Sequence, residues 1–223
     1  MYDLIYISYN EPAADENFSR LQSRFPLAKR VHGVKGIHQA HIAAAKKVFT
    51  KMFWVVDADA TILDTFNFNY VVPEWDLDIV HVWRSRNPIN GLEYGYGGVK
   101  LLPKQLTLKV DTTSTDMTMS ISTKFKVMEE VSNITSFNTD PFSTWKSAFR
   151  ECCKLASKVP DVETSYRLKV WCHVGEDQPF GKYAIAGALA GRAYGEKNAD
   201  DLSALRLIND FDWLQDQFNL TKS

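Results

Sequence analysis

Two aspartates, Asp57 and Asp59, directly follow the apolar stretch Met52–Val56. Side chains two residues apart on an extended chain point to the same side. A pair of exposed carboxylates can hold a divalent cation such as Mn²⁺ or Mg²⁺, which in turn neutralises a diphosphate. Transfer of a sugar from a nucleoside diphosphate requires that neutralisation, because the leaving group gains negative charge. The pattern therefore predicts a metal and diphosphate site. The alternative is that the two aspartates only cap a turn.

The elements around this pair predict where it lies. Strand, helix, strand, helix and strand patterns follow one another from Leu4 to Val56, and the strands are apolar on both faces. This order is typical of an α/β fold, a Rossmann-type, mostly parallel sheet covered by helices on both faces. Ligands of such sheets lie at the carboxyl ends of the strands. Asn10 and Glu11, which follow the first strand, are therefore predicted to bind the nucleoside beside Asp57; otherwise they are a polar exit into a loop.

A cationic segment precedes the second predicted helix. Arg30, Lys35 and His38 lie before or at the start of a helix that opens at Gly36. Free backbone N–H groups and cations at a helix start favour phosphate, so these residues are predicted to contact the diphosphate of the nucleotide-sugar donor. His38 and His41 are alternatively a metal pair, although no carboxylate lies on the same turn.

Further along the chain, Ile79–Trp83 is predicted as a strand and Gly91–Gly98 as a loop. Gly97 and Gly98 permit close backbone approach to a ligand, or they only turn the chain. Arg84, expected just beyond the strand, either clamps phosphate or faces water.

Attack by an acceptor hydroxyl needs a base that removes its proton. Glu176 and Asp177 follow a predicted strand from Arg167 to His173 and precede a predicted helix, which makes them the leading choice. Asp177 is alternatively the helix cap. Asp116 is the second choice. His173 either completes the metal site or is a hydrogen-bonded structural residue.

Two more helices are predicted near the end of the chain. One opens with the cap Asp140 and Pro141, and the other covers 203–218.

Bulk properties narrow the class of protein. The 223 residues suit one α/β domain, and the net charge of −1 argues against a general polyanion binder. However, residues 20–51 contain eight Lys or Arg and no acid, which can give one basic face or a solvated helix surface. Three cysteines form no disulfide framework, and we expect neither a leader nor a membrane-spanning segment. We expect a cytoplasmic protein that does not enter membranes, as a monomer or weak homodimer.

Several segments together resemble a known family. Phe53–Ala60 is similar to the Asp-x-Asp segment of GT-A glycosyltransferases. More specifically, the chain resembles the TET/JBP-associated glycosyltransferases of bacteriophages in four segments: Val31–Asp59, Asn138–Phe142, Phe149–Cys152 and Gly175–Gly181.

The resemblance implies a single GT-A-like domain over 1–223, with a nucleotide-sugar-binding half at 1–70 and an acceptor-binding half at 71–223. It also implies a UDP-sugar donor, a glucose or arabinose type of sugar, and 5-hydroxymethylcytosine or a related pyrimidine in phage DNA as acceptor, within the host cytoplasm.

DNA would then lie against the basic stretch or against Lys100, Lys104 and Lys109. An extruded base would stack on one of the aromatic residues Trp83, Tyr94, Tyr96 and Phe180.

Two alternatives stay open. In the first, the same fold extends a sugar already on the base or uses an acceptor other than DNA. The second alternative is a non-catalytic nucleotide-binding module. Loss of sugar transfer on replacement of Asp57 is expected of the enzymes and not of this module.

Overall fold

The computed structural model describes residues 1–112 and 117–221. Within these residues seven strands form one sheet: β1 Asp3–Ser8, β2 Lys29–His32, β3 Met52–Asp57, β4 Ala60–Ile62, β5 Val80–Arg86, β6 Glu93–Pro103 and β7 Phe125–Thr135. The helices of the same residues are α1 Ala14–Arg24, α2 Ile37–Lys47, α3 Lys104–Thr107, α4 Met117–Ile121, α5 Pro141–Ala156, α6 Val162–His173, α7 Gly181–Lys197, α8 Leu202–Arg206 and α9 Phe211–Leu220. None of the described helices has both the length and the apolar character needed to cross a bilayer.

The chain divides into two compact units. The first comprises Met1–Arg86 and Glu93–Ser136, and the second comprises Asn87–Leu92 and Phe137–Ser223. All seven strands belong to the first unit. Strands β5, β6 and β7, which follow the expected division at residue 70, thus share one sheet with β1 to β4. The assignment of donor and acceptor binding to the two halves stays a prediction.

The sheet of the first unit has the order β2-β1-β3-β6-β5-β7-β4. Its first three strands are parallel, as the alternation of strands and helices predicts. Strand β6 is antiparallel to both β3 and β5, whereas β7 is parallel to β5 and antiparallel to β4. The α/β class is confirmed, with an antiparallel ribbon added to the parallel strands.

Both faces of the central strand β3 are buried, which explains its unbroken apolar sequence. Trp54 and Val56 face one side, where they pack in a cluster with Ala14 and Leu21 of α1. Phe53 and Val55 face the other side, where Ala44, Ala45 and Val48 at the end of α2 cover them. Helices therefore cover both faces of this part of the sheet, as predicted.

Strand β6 begins at Glu93 and includes most of the segment predicted as a loop, so the loop at Gly91–Gly98 is wrong. The glycines are accommodated because the pairing with β5 is irregular: Val82 pairs with Lys100, and Arg84 pairs with Gly95. A step of two positions along β5 thus corresponds to a step of five along β6, which is a bulge. Arg84 lies within β5, because that strand continues to Arg86.

Helices α5 and α7 of the second unit pack closely against each other at three glycines of α7. Gly187, Gly191 and Gly195, spaced four apart, lie on one face of α7. An added Cβ at these positions would come within 2.3, 2.2 and 2.5 Å of the carbonyl oxygens of Trp145, Phe149 and Cys153, respectively. Only glycine allows this close approach of the two backbones.

Capping aspartates decide the helix boundaries of the second unit. The predicted cap at Asp140 is confirmed, since its side chain accepts a hydrogen bond from Ser143 N at 2.9 Å. The predicted strand from Arg167 to His173 is wrong: Asp161 caps α6, which runs through these residues. Similarly, 203–218 is not one helix, because Asp210 accepts from the N–H groups of residues 212 and 213 and starts α9. These caps outweigh the local apolar alternation.

Candidate functional site

The Asp57-Ala58-Asp59 turn leaves β3 at the carboxyl end of the strand and is held by backbone contacts. The Ala58 carbonyl accepts from Tyr6 Oη at 3.1 Å and from Asn17 Nδ2 at 3.0 Å. The Asp59 carbonyl accepts from Ser136 N at 2.6 Å. Because these bonds use main-chain oxygens, the two carboxylates are left for other partners.

Lys100 is the principal partner of Asp57. Its Nζ lies 2.6 Å from Asp57 Oδ2 and also donates to the Gly97 carbonyl at 2.5 Å. Only 3% of the Lys100 side chain is exposed, against 32% of Asp57. The pairing follows from register, since Val55 lies opposite Lys100 and Asp57 is two residues further along the same face.

The surroundings of Asp57 and Asp59 disfavour the ionised form of both carboxyl groups. Burial raises the pKa of Asp57, and Lys100 opposes that rise. Burial raises the pKa of Asp59 to about 7, with the neighbouring Asp57 charge as the second cause. Glu11 raises both pKa values further through its own charge. One lysine is therefore set against three nearby carboxyl groups, and an added cation would be stabilised here.

Asn10 and Glu11 follow β1, whose residue Ile7 pairs with Asp57. Glu11 Oε2 accepts from Tyr9 N at 2.7 Å, which fixes the carboxylate at the end of the strand. Asn10 is exposed. The structure thus brings the ends of β1 and β3 together as predicted, while the contacts of Asn10 and Glu11 with a nucleoside stay a prediction.

Arg30 lies on the other face of the sheet, because it pairs with Tyr6. Its guanidinium bonds Asp15 Oδ1 at 2.6 Å and Ser8 Oγ at 2.8 Å, and it lies over the rings of Tyr6 and Phe18. These contacts tie β2 to α1. These contacts occupy the guanidinium of Arg30, and its contact with a phosphate stays a prediction.

The helix that opens at Gly36 is confirmed as α2, with Gly36 at its N-cap (φ 92°). Lys35 is exposed and His38 is half-buried. His41 is buried, and its Nδ1 donates to the Ile37 carbonyl at 2.8 Å. Burial and, secondarily, the charge of Lys100 lower the pKa of His41 to about 3, so this imidazole is neutral.

The two glycines of the bulge have different structural reasons. Gly97 adopts φ 91°, and its carbonyl receives Lys100 Nζ. Gly98 is in contact with a buried polar group: an added Cβ would lie 2.8 Å from Asn133 Nδ2. Asn133 Oδ1 in turn accepts from Ser85 Oγ at 2.8 Å. Both glycines thus shape the strand beside Asp57, and contact of either with a donor stays a prediction.

The acceptor-side predictions fall on the second unit or outside the described residues. Glu176 and Asp177 lie between α6 and α7, and the N-cap of α7 is Phe180, so the alternative that Asp177 caps this helix is wrong. His173 ends α6, where its Nδ1 donates to the Lys169 carbonyl at 2.8 Å. Asp116 lies outside the described residues. The catalytic and metal roles of these residues stay predictions.

Two of the aromatic residues named for stacking on a base are buried. Trp83 belongs to the core cluster with Trp54 and is 2% exposed, and Tyr94 is also buried. Phe180 is partly exposed and has a left-handed backbone (φ 61°). The Trp83 ring packs against the rings of Trp54, Phe66 and Tyr70.

The basic stretch is partly neutralised by acids of the same unit. The pairs are Arg20 with Glu16 (3.0 Å), Arg24 with Asp64 (3.7 Å), Lys29 with Asp3 (3.1 Å) and Arg30 with Asp15 (2.6 Å). In the predicted cluster of Lys100, Lys104 and Lys109, Lys100 is buried and Lys104 donates to the Val48 carbonyl at 2.6 Å. Lys100 therefore cannot face DNA, and sequence reasoning missed its pairing with Asp57. The signal that could have revealed this pairing is the position of Lys100 within the apolar run of β6.

The two aspartates suit one kind of cation site. Within residues 1–112 and 117–221, no group of three or more His, Cys, Asp or Glu side chains could hold a metal ion. Closed structural zinc sites need four such ligands, whereas Mg²⁺ is often held by one or two carboxylates together with substrate phosphates and water. Asp57 and Asp59 would supply two carboxylate ligands to such a cation, and metal binding by them stays a prediction.

No protein-family model matches this chain, and no curated protein sequence matches it. Among solved structures, HddC from Yersinia pseudotuberculosis is similar at 13% identity and a TM-score of 0.37, covering 61% of this chain and 91% of its own. The mannosyltransferase PcManGT from Pyrobaculum calidifontis, in complex with GDP-Man and Mn²⁺, has 12% identity and a TM-score of 0.41, covering 94% and 79%. TarS 1–349 from S. aureus has 10% identity and a TM-score of 0.37, covering 93% and 90%.

Proposed function

We propose that this chain is a nucleotide-sugar-dependent glycosyltransferase that moves a glucose or arabinose type of sugar from UDP to the 5-hydroxymethyl group of a pyrimidine in DNA. The observation that carries the proposal is the placement of Asp57 and Asp59 at the carboxyl end of β3, beside the end of β1. The identity of the acceptor rests on the sequence resemblance to the phage family.

On the donor side, Asp57 and Asp59 would hold a divalent cation, which supplies neutralisation of the departing diphosphate when bound. The turn between them is kept in place by the bonds to the Ala58 carbonyl. The backbone that carries the two carboxylates is therefore fixed before the donor arrives, which favours binding of the charged transition state. Asn10 and Glu11 are placed at the adjacent strand end for contacts with the nucleoside.

On the acceptor side, the hydroxyl group must lose a proton as it attacks the anomeric carbon. Glu176 and Asp177 are the residues proposed to take that proton, and Asp116 is the second choice. Asp177 Oδ2 accepts from the neighbouring Gln178 Nε2 at 3.2 Å. The carboxylate is thus oriented locally, and a substitution there tests its role directly.

The first experiment measures transfer of labelled sugar. The full chain, Mn²⁺ and each of several radiolabelled UDP-sugars are incubated with duplexes that contain cytosine, 5-hydroxymethylcytosine or glucosylated 5-hydroxymethylcytosine. We expect label only in the hydroxymethylated duplex. Label confined to the glucosylated duplex would instead indicate extension of an existing sugar, and binding of UDP without transfer to any duplex would indicate a binding module.

The second experiment replaces the carboxylates. Asp59→Asn is the preferred variant, because Asp57→Asn would also leave buried Lys100 without its counter-charge. We expect Asp59→Asn to lower kcat/KM by about 100-fold or more at an unchanged melting temperature, the loss typical of removing one group that stabilises the transition state. Asp64→Asn is the matched control, since Asp64 is an exposed aspartate of the same unit. Full activity of Asp59→Asn would overturn the assignment of this site.

A further inference from the structure

Lys100 is a buried cation inside the candidate donor site. Lysine side chains are almost never fully buried without a partner. Here Asp57 Oδ2 and the Gly97 carbonyl accept two of the three ammonium protons. The Gly97 carbonyl is available because the bulge and the positive φ of this glycine turn it toward the lysine.

Buried neighbours restrict the position of the Lys100 side chain. Val55 of β3 and Val82 of β5 pair with Lys100 from either side, and both are buried. His41, which covers this face from α2, is neutral and offers no counter-charge. The ammonium group is therefore confined beside Asp57.

A divalent cation bound to Asp57 would lie close to this ammonium group. The two positive charges repel each other, and burial strengthens the repulsion. The diphosphate of a donor changes the balance, because it adds negative charge and phosphate oxygens that can bind both cations.

We propose that Lys100 competes with the divalent cation for Asp57 and so makes cation binding depend on the diphosphate of the donor. The inference rests on the proposed function for the identity of the ligands. Lys100 is in this view a positioning residue. It weakens binding of divalent cations to the site without donor and makes their affinity rise when the donor binds.

The test measures Mn²⁺ binding rather than transfer. Free Mn²⁺ gives an electron paramagnetic resonance signal that is lost on binding, so titrations with and without UDP give two dissociation constants for each protein. For the native chain we expect UDP to tighten Mn²⁺ binding by about tenfold or more, within the range of ordinary couplings between two ligands. For Lys100→Met we expect tighter Mn²⁺ binding without UDP and a coupling to UDP of less than about threefold.

Lys104→Met is the matched control, because Lys104 donates only to a main-chain carbonyl and should leave both constants unchanged. Lys100→Gln, which is also neutral, is the second variant if Lys100→Met does not fold, with the same expectation. Unchanged or weaker Mn²⁺ binding by a folded Lys100 variant without UDP would overturn the inference and leave the proposed function standing. Failure of the native chain to bind Mn²⁺ even with UDP would overturn both.

Discussion

Asp3 joins the beginnings of three strands, and its replacement tests how much one buried carboxylate stabilises the sheet. Asp3 Oδ2 accepts from Phe49 N at 2.7 Å, from Thr50 N at 3.0 Å and from Thr50 Oγ1 at 3.0 Å. Asp3 Oδ1 lies 3.1 Å from Lys29 Nζ, and only 16% of the Asp3 side chain is exposed. These contacts connect β1 to β2 and to the residues that precede β3.

The size of the effect follows from the pKa of Asp3. Burial alone would raise this pKa, but the hydrogen bonds from Phe49 and Thr50 and the bond from Lys29 outweigh it and lower the pKa from 3.8 to about 2. At 1.36 kcal/mol per pKa unit, the ionised carboxylate stabilises the fold by about 2 kcal/mol. Because the folded pKa lies below the unfolded one, this stabilisation is complete above about pH 4 and is lost as the pH falls toward about 2.

Urea unfolding of the native chain and of Asp3→Asn, followed by tryptophan fluorescence at several pH values, measures the difference. We expect Asp3→Asn to lower the free energy of unfolding by about 2 kcal/mol near pH 7, and the difference to shrink below about pH 4. Asp78→Asn is the control: its carboxylate, 2.6 Å from Lys124 Nζ, is 49% exposed, so its loss should have a far smaller effect. A difference for Asp3→Asn below about 0.5 kcal/mol at neutral pH, or one independent of pH, would refute the reasoning.

Three further predictions test packing and charge. Gly191→Ala places a Cβ 2.2 Å from the Phe149 carbonyl oxygen, so thermal and urea unfolding should show a loss of about 2 kcal/mol or more; unchanged stability would contradict the close helix contact. Gly98→Ala should lose about 1–3 kcal/mol against Asn133, and Asn133→Ala in the same chain should recover part of that loss; strictly additive effects would contradict the clash. His41 is neutral in the fold, with a pKa of about 3 against 6.5 when unfolded, so stability should fall as the pH drops below about 6.5. His41→Leu should remove that part of the pH dependence, and an identical pH profile for the two proteins would refute a neutral buried imidazole.

The predictions that succeeded rest on short-range patterns. An apolar strand followed by two acids locates the Asp57 turn, because burial on both faces and exit at the carboxyl end are properties of the strand itself. Likewise, the side chain of Asp140 and the ring of Pro141 act on backbone groups within one turn, so the start of α5 was predictable. The predicted strand at Arg167 is wrong because the cap at Asp161, six residues earlier, starts a helix that runs through the alternating residues.

The partner of each charged group was decided by tertiary structure. Whether Arg30 faces a donor or α1 depends on its register with Tyr6, a residue 24 positions away that local sequence does not specify. Lys100 and Asp57 are 43 positions apart, and they meet because an antiparallel strand inserts beside β3 and a bulge turns the Gly97 carbonyl toward the amine. The sequence by itself determined that two acids end a buried strand. Only the sheet order determined that a lysine lies against one of them, because pairing between distant strands depends on the packing of the whole unit.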